Sequence, residues 1–144
     1  MFSKSCEYGL RAVLYIALQS SMQKKVSLTA ISEEIDSPQA FTAKVLQQLT
    51  KSKIIESTKG PYGGFFIKKN NLKNIKLSDV VKVLDGDRIY TGCGLGLKHC
   101  DSESPCPLHY KFIEIREQLK DMLENTLLES LVEDMNENLV WLKR

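Results

Sequence analysis

The stretch VSLTAISEEIDSPQAFTAKVLQQLTKSKIIESTKGPYGGFFI, residues 26–67, decides the fold. Ser27 reads as the N-cap of a short helix that carries Leu28, Ile31 and Ile35 on its apolar side. The DSP at 36–38 ends that helix. Ser37 is positioned to cap the next one, with Pro38 at the first helical position, where its missing N–H costs nothing. This helix runs to about Lys51. Phe41, Val45, Leu46 and Leu49 form its buried face, and Gln39, Ala40, Ala43, Lys44 and Gln47 the opposite one. The pattern then changes. IIEST (54–58) reads as a strand, KGPYGG (59–64) as a Gly/Pro turn and FFIKK (65–69) as a returning strand. Two short helices joined by a tight turn, followed at once by a hairpin, make a helix-turn-helix with a wing. Lys59 at the base of the turn and Lys68 and Lys69 on the return strand suit a position beside phosphates or in a minor groove.

Upstream, residues 5–21 form a longer helix with Leu10, Val13, Leu14, Ala17 and Leu18 on one side. Its apolar run is interrupted by Arg11, so it is amphipathic rather than a membrane span. It has no signal-peptide pattern, which points to a cytoplasmic protein with reduced cysteines and no membrane partner. Downstream, IKLSDVVKVLDGD (75–87) is a short helix with Val80, Val81 and Leu84 inward, ending at Gly86. From about Leu108 a long helix carries Leu108, Phe112, Ile115, Leu119, Met122 and Leu123 as a stripe near 3.5-residue spacing, suited to packing on a partner helix. A last amphipathic helix over 126–144 carries Leu127, Leu128, Leu131, Met135, Leu139 and Leu142, with Thr126 and Glu129 as a capping box.

The chain is therefore expected to be mainly α with a small β-hairpin wing. A winged helix-turn-helix domain (1–86) is followed by a cysteine-rich loop (87–107), then a long dimerisation helix and a C-terminal helix (108–144). Charge divides along the same line. Residues 1–71 carry ten Lys/Arg against five Asp/Glu, and residues 72–144 ten against thirteen. A basic first half suits a polyanion.

The loop TGCGLGLKHCDSESPCPLHY, 91–110, holds three of the four cysteines and both histidines. Its spacing is Cys93-x6-Cys100-x5-Cys106-x2-His109. Zinc sites usually pair ligands two to four residues apart on a tight knuckle, and neither Cys–Cys gap here is one. Wide gaps in a Gly-rich loop suit a larger object such as an iron–sulfur cluster, with a fourth, non-thiolate ligand from elsewhere. A disulfide thiol switch, an irregular Cys₃His zinc site and inert reduced thiols are the alternatives. His109 is the fourth ligand that spacing offers. Cys6 reads as a small buried residue. Apart from Cys with His the chain has no catalytic-looking signal: no phosphate loop and no carboxylate pair. It is read as no enzyme.

Taken together, these residues resemble the IscR/NsrR group of winged-helix transcription regulators over essentially the whole length. The opening EYGLRAVLYIA, the helix-turn-helix and wing with their Gly-Pro-x-Gly-Gly turn, IKLSDVVKVLDG and the three-cysteine loop carry the likeness. The resemblance implies a homodimer on a double-stranded DNA operator, usually as a repressor, with an iron–sulfur cluster that senses redox state, iron–sulfur status or nitric oxide. It implies Cys93, Cys100 and Cys106 as ligands. His109 matches the fourth ligand of a 2Fe–2S branch. Glu7, just before Tyr8, matches a carboxylate that crosses from the other subunit to a 4Fe–4S cluster. The x6 gap departs from the x5 usual in both. For DNA the resemblance carries over to Ser37, Gln39, Ala40, Ala43 and Lys44 on the recognition helix and to Lys59, Gly60 and Tyr62 of the wing. Lys59 stands where an Arg enters the minor groove in the 2Fe–2S branch. A cluster-free regulator with a thiol switch or small-molecule effector is the alternative within the same fold.

Overall fold

A computed structural model of the chain describes residues 1–142. Helix α1 (Lys4–Ser21) starts at Ser3, whose Oγ accepts the Cys6 N–H at 3.1 Å. Ala12, Val13, Ile16 and Ala17 are wholly buried on it, while Leu10, Leu14 and Leu18 are half-buried. The stripe expected from sequence is thus too narrow, because α1 is covered on several sides by other helices.

Helix α2 (Leu28–Glu34) is capped as expected, Ser27 Oγ accepting the Ala30 N–H at 3.1 Å. Helix α3 (Gln39–Lys51) is not capped by Ser37. Pro38 itself holds the cap position in an extended conformation, so Ser37 lies one residue too early. The Ser37 hydroxyl instead meets the Thr42 hydroxyl in a short hydrogen bond. Thr42, Val45, Leu46 and Leu49 are the buried face of α3. Phe41, expected inside, is half-buried and packs edge-on against Tyr8 at 5.4 Å between ring centres.

Strands β1 (Glu56–Thr58) and β2 (Gly64–Phe66) pair antiparallel with Glu56 opposite Phe66 and Thr58 opposite Gly64. The return strand is shorter than the sequence suggests. The Ile67 N–H leaves the ladder to donate to Ser20 Oγ at 2.9 Å, and Lys68 opens a short helix, α4 (Lys69–Leu72). The wing is tied to the rest by a backbone bridge. Val26 N–H donates to Phe65 O at 3.0 Å, and Phe65 N–H to Val26 O at 2.7 Å.

Helix α5 (Leu77–Asp85) buries Val80 and Val81 and ends at Gly86. A short turn of helix, α6 (Arg88–Thr91), lies inside the region read as loop. Helix α7 (His109–Glu124) follows, then α8 (Leu128–Asn136). Thr126 does not cap α8: its hydroxyl donates back to Met122 O, and Leu127 takes the cap position without a side-chain bond. The chain re-enters the domain there through a two-rung bridge, Leu77 N–H to Thr126 O at 3.0 Å and Leu128 N–H to Ile75 O at 2.9 Å. Helix α8 stops at Asn136, leaving Leu139 and Trp141 exposed. The last two residues of the helix expected over 126–144 lie outside the described residues.

One main core joins α1, α2, α3, α5 and α8, with Leu128 and Val132 of α8 fully inside it. The segment 108–144 therefore divides. Helix α8 belongs to the winged-helix body, while α7 runs beside it. A smaller core of Cys6, Val81 and Leu123 docks the C-terminal end of α7 on α1 and α5, with Leu119 packed against it.

Gly64 is a wing position with no room for a side chain. Its φ is +146°, and a Cβ there would lie 2.8 Å from the Val26 carbonyl oxygen. Gly64→Ala is expected to cost about 1–3 kcal/mol of stability and to lower the thermal midpoint while leaving the helical circular-dichroism spectrum intact.

Candidate nucleic-acid interface and cysteine-loop site

Burial of Thr42, Val45, Leu46 and Leu49 turns the other side of α3 outward. Gln39, Ala40 and Lys44 are exposed there, and Ala43 is half-buried. Gln39 Nε2 donates to Thr29 Oγ1 at 3.2 Å, which holds the start of α3 against α2. Ser37 is half-buried at the foot of this face, its hydroxyl engaged with Thr42. The wing stands beside it, and Ala43, Gln47, Thr50 and Lys51 of α3 face Ser57 and Phe65 across a groove. At the wing tip Lys59, Gly60 and Tyr62 are all exposed, Tyr62 at 92%. Lys25, not singled out by sequence, adds a cation at the wing. Its Nζ donates to Thr58 Oγ1 at 3.2 Å and sits 4.8 Å above the Phe66 ring. Arg11, by contrast, is used internally: it donates to the Ile35 carbonyl at 3.0 Å and stacks on Tyr8.

The cysteine loop folds against the N-terminal half of α7. His109 N–H donates to Cys106 O at 3.0 Å. His109 is 5% exposed, its Nδ1 lies 3.4 Å from Cys100 Sγ, and its Nε2 is buried without a partner. Arg116, two helical turns further along the same face, donates through Nη2 to Cys100 Sγ at 3.3 Å and through Nη1 to the Gly92 carbonyl. Between them the Phe112 ring closes on Gly94, leaving no room for a Cβ there. Cys93 has Cys106 as a side-chain neighbour. The backbone N–H groups of Leu95 and Leu97 point at its sulfur and hold its pKa below the usual thiol value. The four donors thus come as two pairs, Cys93 with Cys106 and Cys100 with His109. Among the described residues no three Cys, His, Asp or Glu side chains converge as a metal site.

Glu7 lies elsewhere in this chain. It is half-exposed on α1 and pairs with Lys4 at 2.9 Å, and that hydrogen bond holds its carboxyl below the usual range. Cys6 is wholly buried, and burial, with the Asp85 charge second, pushes its thiol up to about 12.

The family model for Rrf2, an iron-dependent transcriptional regulator, matches residues 2–134. The chain belongs to the Rrf2 family of transcriptional regulators. It is 32% identical over 134 residues to a helix-turn-helix-type regulator of Aquifex aeolicus, covering 92% of this chain and 91% of that one. It is 28% identical to IscR of Pectobacterium atrosepticum, over 87% of this chain and 74% of the relative. It is 26% identical to NsrR of Oceanobacillus iheyensis, over 93% and 90%. Two solved structures share the fold. CymR, the global cysteine regulator of B. subtilis, superposes with a TM-score of 0.74 at 23% identity, covering 92% of this chain and 96% of that one. IscR of T. potens gives 0.74 at 20% identity over 98% and 92%. Among the described residues no helix is long and apolar enough to cross a membrane.

Within this Rrf2 chain the donor set fits an iron–sulfur centre by its chemistry. Three soft thiols and one imidazole are gathered in a single loop and helix end, and the buried imidazole has a nitrogen with no protein partner. Sequence reading missed Arg116 and Phe112 as loop contacts. The signal was available: His109, Phe112 and Arg116 follow one another at i, i+3 and i+7, hence on one helical face.

The environments of the four cysteines lead to a labelling prediction. Iodoacetamide at pH 8 should modify Cys93, Cys100 and Cys106 in the metal-free native protein and spare Cys6 until denaturant is added. Peptide mass spectrometry reads the outcome, and early labelling of Cys6 would contradict its burial.

Proposed function

We propose that this chain is a cytoplasmic, homodimeric repressor that binds double-stranded operator DNA, and that an iron–sulfur cluster in its cysteine loop sets its operator affinity. Ser37, Gln39, Ala40, Ala43 and Lys44 of the recognition helix would enter a major groove. Ala40 and Ala43 offer only methyl contact, so most of the base-edge hydrogen bonding falls to Gln39. Lys59, Gly60 and Tyr62 would bring the wing tip against the neighbouring backbone. Lys59 has the charge but not the two-pronged donor geometry of an Arg, so its partner there is a phosphate. The pairing surface is α7. Leu108, Ile115 and Met122 lie seven residues apart and remain 37%, 53% and 49% exposed. A second copy of the same seam would cover them.

The observation that carries the sensing part is the pairing of Cys100 with the buried His109 at the head of that helix. In this reading Cys93, Cys100 and Cys106 hold the cluster and His109 supplies the fourth ligand, as expected for a 2Fe–2S type. Glu7 could serve a 4Fe–4S type only from the partner subunit. A bound iron–sulfur centre supplies reactivity toward electrons, oxidants and nitric oxide. The chain's own part is to keep water from the imidazole, to hold its Nδ1 beside Cys100 Sγ, and to transmit loop order to α7.

A second reading is favoured by the neighbourhood of Cys93 and Cys106 and the lowered Cys93 pKa. Attack of the Cys93 thiolate on peroxide would give a sulfenic acid, and Cys106 would displace water from it to close a disulfide.

Anaerobic purification separates the two. Wild-type protein should carry iron and visible absorption, with a Mössbauer spectrum of a mixed thiolate–nitrogen site. Cys93→Ala, Cys100→Ala and Cys106→Ala should each lose the absorption. His109→Ala should alter the spectrum and Glu7→Ala leave it unchanged. Iron-free protein that forms a Cys93–Cys106 disulfide under peroxide would instead establish the thiol switch. On the DNA side, Lys44→Ala and Lys59→Ala should each weaken binding to all sequences alike. Each should also lower the salt-dependence slope by about one, measured by fluorescence anisotropy at several ionic strengths.

A further inference from the structure

Helix α7 presents two different seams. The outer one is Leu108, Ile115 and Met122. The inner one is His109, Phe112, Arg116, Leu119 and Leu123, spaced three and four residues apart in turn. Its C-terminal half is apolar and is seated on Cys6 of α1 and Val81 of α5. Its N-terminal half carries the two polar members, and both touch the cysteine loop. His109 reaches Cys100 Sγ, and so does Arg116, which also reaches across to the Gly92 carbonyl.

Arg116 is half-buried among these contacts. A guanidinium has several N–H donors in a fixed plane and can bridge two acceptors that a lysine cannot span together. Here it joins two points of the loop eight residues apart in sequence to one residue of the helix. Nothing else charged on α7 contacts the loop in this way among the described residues.

We propose that Arg116 is a positioning residue, a latch that ties the Gly92 and Cys100 ends of the loop to α7. One N–H group orders the loop backbone and another fixes the Cys100 sulfur. The latch operates in the metal-free chain. Its second consequence rests on the cluster reading above: with Cys100 engaged as a ligand, Arg116 passes the state of the loop to α7. From there Leu119 and Leu123 pass it to α1 and α5, which carry the recognition helix.

The test uses the full-length chain in its reduced, metal-free form and as anaerobically isolated protein. In metal-free protein, hydrogen–deuterium exchange of the loop amides at 92–100 should become about tenfold faster in Arg116→Ala, the loss expected for a charge-assisted hydrogen bond that limits local opening. Arg116→Lys should fall between Ala and wild type, since it restores one contact and not both. Amides in α1 and α3 should exchange as in wild type. If Arg116→Ala accelerates them too, the variant has opened globally and the comparison rests on Arg116→Lys. Equal loop exchange in wild type and the folded variant would overturn the latch.

In iron-loaded protein, removing the cation should make the centre harder to reduce, so its midpoint potential falls in Arg116→Ala and returns in Arg116→Lys. The ratio of operator affinities between loaded and metal-free forms should shrink toward one in both variants. An unchanged ratio would overturn the relay to the DNA-binding helix. A wild-type protein that takes up no iron would remove the cluster reading, and the exchange result would still decide the latch.

Discussion

The structure depends on how closely helices can approach α1. At Gly9 a Cβ would lie 2.1 Å from a Leu84 methyl and 3.2 Å from a Val45 methyl. A turn and more further on, Ala12, Val13, Ile16 and Ala17 are fully buried. Small residues on this helix let α3, α5 and α8 all pack on it at once. The orientation of the recognition helix, the docking of α5 and the return of α8 are therefore one packing problem rather than three.

With α8 committed to that core, α7 is left as a helix held mainly at its C-terminal end. Leu123 is buried and Leu119 half-buried there, while the N-terminal half rests on the cysteine loop. The loop is short of regular structure, and its order comes from side chains of α7: an imidazole, an aromatic ring and a guanidinium. An element anchored at one end by apolar packing and at the other by polar contacts to a thiol-bearing loop can change at the second end without unfolding the first. The same division leaves Leu108, Ile115 and Met122 of α7 exposed on a separate outer seam.

The helix-turn-helix and wing were legible in residues 26–67 because Ser27, Gly64 and the apolar spacing of α3 act locally. Residues 109–124 were legible as a helix, but their apolar stripe mixed two seams. Counting only hydrophobic residues joined Leu108, Ile115 and Met122 to Phe112, Leu119 and Leu123. The inner seam becomes regular only when His109 and Arg116 are counted with it. Ser37 and Thr126 misled for a simpler reason. Each has a good capping side chain, but Pro38 and Leu127 hold the cap positions, and each hydroxyl is engaged by a neighbour in the structure instead.

The sequence by itself determined the class of fold, the recognition helix, the wing and the three-thiol loop, because each is written in local spacing, turn chemistry and residue type. Spacing offered His109 as a partner for the thiols, and the family resemblance added Glu7 from a second subunit. Only the tertiary structure brought His109 Nδ1 to 3.4 Å from Cys100 Sγ, buried its other nitrogen and set Arg116 on the same sulfur, while Glu7 stayed with Lys4. The place of His109 depends on which face of α7 meets the loop. The face is chosen by Leu119 and Leu123 packing against Cys6 and Val81, residues about forty to one hundred and twenty positions away in the chain and adjacent only once it folds.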